Sequence, residues 1–160
     1  MRKILAFVIV ALCVTKLSAQ GTLPSSSLED VHGKTVRLAD VAESRKPIIF
    51  VFWGAICPTC NNALNTLSDE FDTWRDEVDF QLIAVCTEDV RGSSKARSKA
   101  IVNDWPFTLL FDKNQDLKRG MNVNAVPYFI IYNENGEVVF SRAGYIPGLE
   151  QEVYEALKKN

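Results

Sequence analysis

Apolar positions along this chain fall into short blocks, and their spacing alternates between strand-like and helix-like periods. Ile48 to Trp53 is an unbroken apolar and aromatic run. It is too short to span a membrane and suits a central strand covered on both faces. Gly54 and Ala55 give a tight exit, and Pro58 fits a first helical turn, where its missing N–H costs nothing. From Asn61 onward, Leu64, Leu67, Phe71 and Trp74 recur at three and four residues and share one helical face.

The remaining blocks follow the same logic. Residues 28–38 read as a hairpin, with a turn at His32-Gly33 and alternating apolar positions on its return. Residues 40–44 suit a single helical turn. A second strand is expected over 79–86, with Leu82, Ile83, Ala84 and Val85 as its body. Ser93 or Ser94 is a candidate cap for a helix running to about 104, with Ala96, Ala100 and Ile101 inward. Trp105-Pro106 ends it. A strand at 107–111 and a short helix at 115–119, stopped by Gly120, come next. The strand at 126–132 opens with a proline, which is permitted at a strand start. Asn135-Gly136 signals a hairpin, and 137–142 returns antiparallel. A loop at 144–148 leads to a closing helix over 149–159, with Leu149, Val153, Ala156 and Leu157 inward. Strands alternating with helices and ending in an antiparallel pair predict an α/β fold, a mixed sheet with helices on both faces.

The first twenty residues change the picture. Arg2 and Lys3 precede an apolar run from Ile4 to Val14, and Ala19 or Gln20 offers a cleavage point, although Leu17 is large where a small residue is preferred. The expected organisation is a secretory signal peptide at 1–20, a polar linker at 21–27 and one domain at 28–160. An uncleaved membrane anchor is the alternative. Cys13 lies in the apolar run behind Leu12, which is too large for a lipidation signal. The whole chain carries 18 basic and 20 acidic side chains. Loss of Arg2, Lys3 and Lys16 would leave 15 against 20, a formal charge of −5. That balance argues against nucleic acid as a partner. The basic run Arg91, Lys95, Arg97 and Lys99 reads as a solvated helix face, too short and too free of aromatics for RNA or DNA.

Chemistry concentrates where the central strand meets its helix. Cys57 and Cys60 would sit at a helix N-terminus, facing unpaired N–H groups and the positive end of the helix dipole. Both favour thiolate and lower the Cys57 pKa from the free value of roughly 8.5. Thiolate is the attacking species in disulfide exchange. Cys57 is therefore the expected nucleophile and Cys60 the more buried resolving thiol. The alternative, half of a zinc site, needs four ligands, and only Cys86 and His32 remain to supply them. No metal is expected, and no cofactor beyond the redox-active pair. His32 reads as a solvated turn residue. Cys86 reads as a small buried apolar residue, with a third thiol near the site as the alternative. Glu88 or Asp89, just past the second strand, is a candidate proton acceptor for Cys60, with solvated surface as the competing reading.

Four features make the chain resemble the exported TlpA-like thiol-disulfide oxidoreductases of the ResA type, which have the thioredoxin fold. Trp53 to Cys60 is similar to the family's Trp-x-x-x-Cys-x-x-Cys site. Val126-Pro127 matches the loop whose proline is cis in the family and faces the cysteines. The hairpin at 28–38 and the insertion from Glu88 to Asp104 are traits of the subgroup. The resemblance implies a thioredoxin-like sheet with an extra N-terminal hairpin, and a site in which Trp53, Pro58, Thr59, Val126 and Pro127 bind substrate or support the dithiol. A proline at 127 donates no hydrogen bond, and the expectation is that Val126 pairs with an incoming peptide. The resemblance further implies protein thiol and disulfide substrates, a membrane thiol donor, a monomer and a periplasmic location. Reduction is the expected direction, with cytochrome c maturation or general periplasmic redox balance as settings.

Three departures bear on the mechanism. Ile56 replaces the usual aromatic before the first cysteine. Val51 and Ala63 stand where thioredoxin and ResA-type proteins respectively keep an acid near the resolving thiol. Two other classes compete. A peroxidase on a related fold would place Thr or Ser three residues before its cysteine, and Gly54 is there instead. A non-catalytic binding module or metal carrier would use the edge at Pro127, but lacks a partner histidine.

Overall fold

Every residue of the apolar run Ile48–Trp53 is buried, which places it at the middle of the sheet and arranges the other elements around it. The computed structural model describes residues 23–43 and 45–159. The expected signal at 1–20, Cys13 and the first linker residues lie outside them. In chain order the elements are β1 (Ser27–Glu29), β2 (Thr35–Arg37), α1 (Leu38–Val41), β3 (Ile48–Trp53), α2 (Pro58–Glu77), β4 (Gln81–Cys86), α3 (Val90–Asn103), β5 (Thr108–Phe111), α4 (Asp116–Gly120), β6 (Tyr128–Tyr132), β7 (Val138–Ala143) and α5 (Leu149–Lys158). The strands form one sheet in the order β2-β1-β5-β4-β3-β6-β7. β3 runs parallel to β4 and antiparallel to β6, with Trp53 opposite Cys86 and Phe52 opposite Tyr128.

Alternation along β3 divides the core. Ile49, Val51 and Trp53 pack with Leu64, Leu67, Phe71 and Trp74 of α2, Ala96 and Ala100 of α3, and Val153 and Leu157 of α5. Phe50 and Phe52 face the other way, onto Leu38 of α1, Leu117 of α4 and Val123. Helices thus cover both faces, as the apolar pattern of a buried strand requires. Each fully buried Leu or Phe contributes about 1.5–3 kcal/mol by leaving water. The fold is the mixed thioredoxin-like sheet with its added N-terminal strand pair.

Several boundaries differ from expectation for physical reasons. α1 starts at Leu38, because that side chain is fully buried and draws the turn inward. β6 starts at Tyr128, because the Val126–Pro127 peptide is cis and stands outside the ladder. α3 starts at Val90, three residues before the expected cap. Asp89 Oδ1 accepts from the N–H groups of Arg91 and Gly92 at 2.9 and 3.0 Å, so Asp89 caps the helix where Ser93 or Ser94 was expected. That start sets the phase: Ser93, Ala96 and Ala100 turn inward. Ile101, expected inside, is 62% exposed.

Candidate active site

β3 delivers the chain to the C-terminal end of the parallel strands at Trp53, and a four-residue turn carries it into α2. The Cys57 N–H donates to the Gly54 carbonyl at 3.3 Å, and Pro58 occupies the first turn of α2. Cys57 is the N-cap, and its Sγ accepts from the Cys60 N–H at 3.1 Å. The Thr59 hydroxyl lies 3.3 Å from the same sulfur. Cys57 and Cys60 are joined as a disulfide, with Cα atoms 5.2 Å apart. The Cys57 sulfur of this oxidised pair stands in for the thiolate of the reduced enzyme. The N–H and hydroxyl that meet it are the donors a thiolate would use. Cys57 is partly exposed and Cys60 is 0% exposed, so one sulfur is reachable and the other is shielded.

Three walls converge at Gly54. A Cβ added there would lie 3.2 Å from Glu88 Oε1, 3.8 Å from Cys57 Cβ and 3.8 Å from Val126 Cγ2. The structure thus brings Glu88, from the end of β4, and Val126, from the approach to β6, to the turn that carries the nucleophile. Pro127 follows Val126 through the cis peptide, and its carbonyl accepts from Gly144 N at 2.8 Å. Pro58, Thr59 and Ile56 are exposed around the sulfur. Ile56 is 74% exposed, an apolar side chain beside the dithiol.

Other candidates fall away from the reacting sulfurs. Trp53 is fully buried and meets Trp105 edge to face at 5.3 Å. Its buried ring supports the turn by packing. Asp89 is exposed and serves as the α3 cap, which leaves Glu88 as the acid at the turn. Glu88 Oε1 accepts from the Ala55 N–H at 2.9 Å. Cys86 is free and buried, and burial pushes its thiol up to about 12. At neutral pH it is a protonated, shielded thiol. His32 is exposed in its turn. Among the described residues, no group of three or more His, Cys, Asp or Glu side chains is arranged to hold a metal ion.

The basic run on α3, expected to be a solvated face, is solvated only in part. Arg91 and Lys95 are exposed. Arg97 instead pairs with Glu29, donates to the Asp30 carbonyl and lies 4.3 Å over the Phe111 ring. Lys99 Nζ donates to the Ala55 carbonyl at 2.6 Å. The missed signal was positional. Arg97 and Lys99 flank Ala96 and Ala100 on the helix, at the border of its buried face, where long basic side chains lay their stems inward and carry their heads to the rim.

Comparison with known proteins places this geometry. The family model described as AhpC/TSA family matches residues 20–141. A curated relative, the thiol-disulfide oxidoreductase ResA of Halalkalibacterium halodurans, is 22% identical over 130 residues, covering 80% of this chain and 68% of that protein. A solved thioredoxin-like protein from Porphyromonas gingivalis is 32% identical, with a TM-score of 0.75 over 87% of this chain and 91% of that one. StoA from Bacillus subtilis shares the fold at 15% identity, with a TM-score of 0.67 over 84% of this chain and 98% of that one.

Proposed function

The chain belongs to the AhpC/TSA family and is a thiol-disulfide oxidoreductase, and we propose that it works as a reductase of exported proteins. One observation carries this reading: a partly exposed Cys57 at the N-cap of α2, bonded to a fully buried Cys60. In the reduced enzyme the Cys57 thiolate attacks one sulfur of a client disulfide. A Cys57–client mixed disulfide forms, and the other client sulfur leaves as a thiolate. Cys60 then gives up its proton and attacks Cys57 Sγ. The second client sulfur leaves, and the Cys57–Cys60 disulfide seen here remains. Two electrons pass from enzyme to client, the Cys60 proton goes to its acceptor, and the released client thiolates take their protons from solvent. Glu88 is the proposed proton acceptor for Cys60, since Val51 and Ala63 offer none and its carboxylate stands across Gly54 from Cys57.

Val126, the cis Pro127 and the exposed Ile56, Pro58 and Thr59 form the proposed client surface, with an extended peptide adding along Val126. Residues 1–20 are the proposed export signal, 21–27 the linker and 28–160 the domain. The protein acts as a monomer in the periplasm, recharged by a membrane thiol donor and using no metal or other cofactor. Among the described residues no helix is long and apolar enough to cross a membrane. Periplasmic thiol homeostasis or cytochrome c maturation would supply clients.

The test uses reduced protein with insulin as the disulfide substrate. Wild type reduces insulin, Cys57→Ser abolishes turnover, and Cys60→Ser accumulates a mixed disulfide whose client is read by mass spectrometry. Reduction that survives Cys57→Ser removes the reading. Peroxide turnover exceeding insulin reduction would favour a peroxidase instead, although Gly54 supplies no hydroxyl three residues before the nucleophile.

A further inference from the structure

Ala55 is 2% exposed, and both of its backbone polar groups are bonded to charged side chains from another part of the chain. Its N–H donates to Glu88 Oε1 at 2.9 Å, and its carbonyl accepts from Lys99 Nζ at 2.6 Å. Buried backbone groups need partners. Here a carboxylate and an ammonium provide them, on either side of a residue two positions before the nucleophile. Glu88 also covers the first turn of α3, where a Cβ on Gly92 would come within 2.6 Å of Glu88 Oε2. Lys99 comes from the third turn of the same helix. The insertion between β4 and β5 therefore grips the active-site turn from both ends.

We propose that Lys99 and Glu88 form a charge-balanced bracket that positions the turn before Cys57 and sets how readily its thiolate forms, Lys99 being a positioning residue for the exchange. The proposal rests on the dithiol reading above. Among the described residues, the charged side chains bonded to Ala55 are Glu88 after β4 and Lys99 on α3; Arg97 and Asp112 stand further off, near Cys86. The first turn of α2 carries no acid, and the β6 side presents Val126 and Pro127, which are uncharged. Two opposite charges bonded to one residue fix its backbone and oppose each other electrostatically. Removing one side unbalances the site in a direction fixed by the charge that remains. Lys99→Met leaves the carboxylate and disfavours thiolate. Glu88→Gln leaves the ammonium and favours thiolate, and its amide oxygen can still accept from Ala55. A stabilised thiolate makes the reduced form more stable and the pair a stronger oxidant.

The experiment measures two quantities on reduced, full-length protein. One is the pH midpoint of Cys57 alkylation, read as the first carboxymethylated cysteine by peptide mass. The other is the equilibrium constant for disulfide exchange with glutathione. Lys99→Met should raise the midpoint by about half a pH unit and move the exchange constant about threefold towards the enzyme disulfide. Glu88→Gln should move both the other way, and Lys99→Arg should keep both near wild type. A merely structural role would move the two neutralising variants in the same direction, and that result overturns the proposal. So does an absence of shift in both, or a Lys99→Arg protein that matches Lys99→Met. Loss of insulin reduction by wild type itself would instead count against the dithiol reading, so the two failures are told apart.

Discussion

Cys57 and Cys60 carry identical side chains one helical turn apart, yet their surroundings give them different work. Cys57 is partly exposed and receives a backbone N–H and a hydroxyl. Cys60 is sealed in the α2 face of the core beside Ala63 and Leu64. Thr59→Ala removes one donor from Cys57. A hydrogen bond of about 0.5–1.5 kcal/mol corresponds to a slowing of roughly 2- to 10-fold in neutral-pH alkylation of reduced Cys57, checked by timed iodoacetamide labelling. An unchanged rate would show that the hydroxyl points elsewhere in the reduced protein. Cys86 shows the opposite case, with its thiol pushed from 9.0 to about 12 by burial. The folded state therefore holds this proton where the unfolded chain has lost it. Its stabilising contribution is complete below pH 9 and is lost as pH rises towards 12, by about 4 kcal/mol in all. Tyr132, Tyr145 and Tyr154 also have raised pKa values, so the measurement is a difference. Denaturation of wild type and Cys86→Ala across pH 8 to 11 should show a shallower alkaline fall in the variant. Equal slopes would mean that Cys86 is reached by water.

At the scale of elements, legibility followed how local each cause is. The strand at 48–53 was readable because its apolar run is continuous, and α2 because Leu64, Leu67, Phe71 and Trp74 repeat on one face. The start of α3 is ambiguous in sequence because Asp89 and the serines at 93 and 94 are all good caps, and only the fold favours Asp89. Gly92 explains part of that choice. Glycine inside a helix costs about 1 kcal/mol relative to alanine, yet here it leaves room for Glu88 to fold across the first turn. Gly92→Ala should thus fail to bring the usual helical gain. The added methyl group would meet Glu88 Cβ at 2.9 Å as well as the carboxylate, and must push Glu88 away from Ala55. The expected result is unchanged or reduced thermal stability, with alkylation of Cys57 altered in the same direction as in Glu88→Gln. A variant stabilised by about 1 kcal/mol with wild-type alkylation would show that Glu88 moves aside without cost. The cysteine pair and the cis proline were readable, whereas Glu88 was not separable from Asp89 or from solvated surface until its bond to the Ala55 N–H was in view. Lys99 was not readable either, because a basic residue on a helix looks solvated until its neighbour across the fold is known.

Across the whole molecule, the N-terminal hairpin is attached to the sheet by very little backbone. β1 meets β5 at one register pair, Glu29 with Phe111. Side chains supply the rest. Arg97 of α3 pairs with Glu29, donates to the Asp30 carbonyl and stacks on Phe111, while Lys113 Nζ reaches Glu29 Oε1 at 2.7 Å. One guanidinium therefore ties together the hairpin, the β4–β5 insertion and the β5 edge. The hairpin itself was legible from its alternating positions. Its docking was not, because the ion pair joins residues 68 positions apart. Arg97→Met keeps much of the stem volume and removes the fork. Lys113 remains to neutralise Glu29, so the cost should stay well short of that of a buried charge left alone. Loss of the cation–π contact and of the hydrogen bond to Asp30 brings it to about 1–3 kcal/mol. Chemical denaturation should show this as a lower midpoint at unchanged slope. Hydrogen exchange should show faster opening of β1 and β2 than of β3 and β4. Uniform loss of protection through the central strands would mean that the cluster supports the core itself. Because Lys99 lies two residues further along the same helix, a loosened α3 also reaches Ala55, and the insulin assay on Arg97→Met measures how far that slack travels to the dithiol.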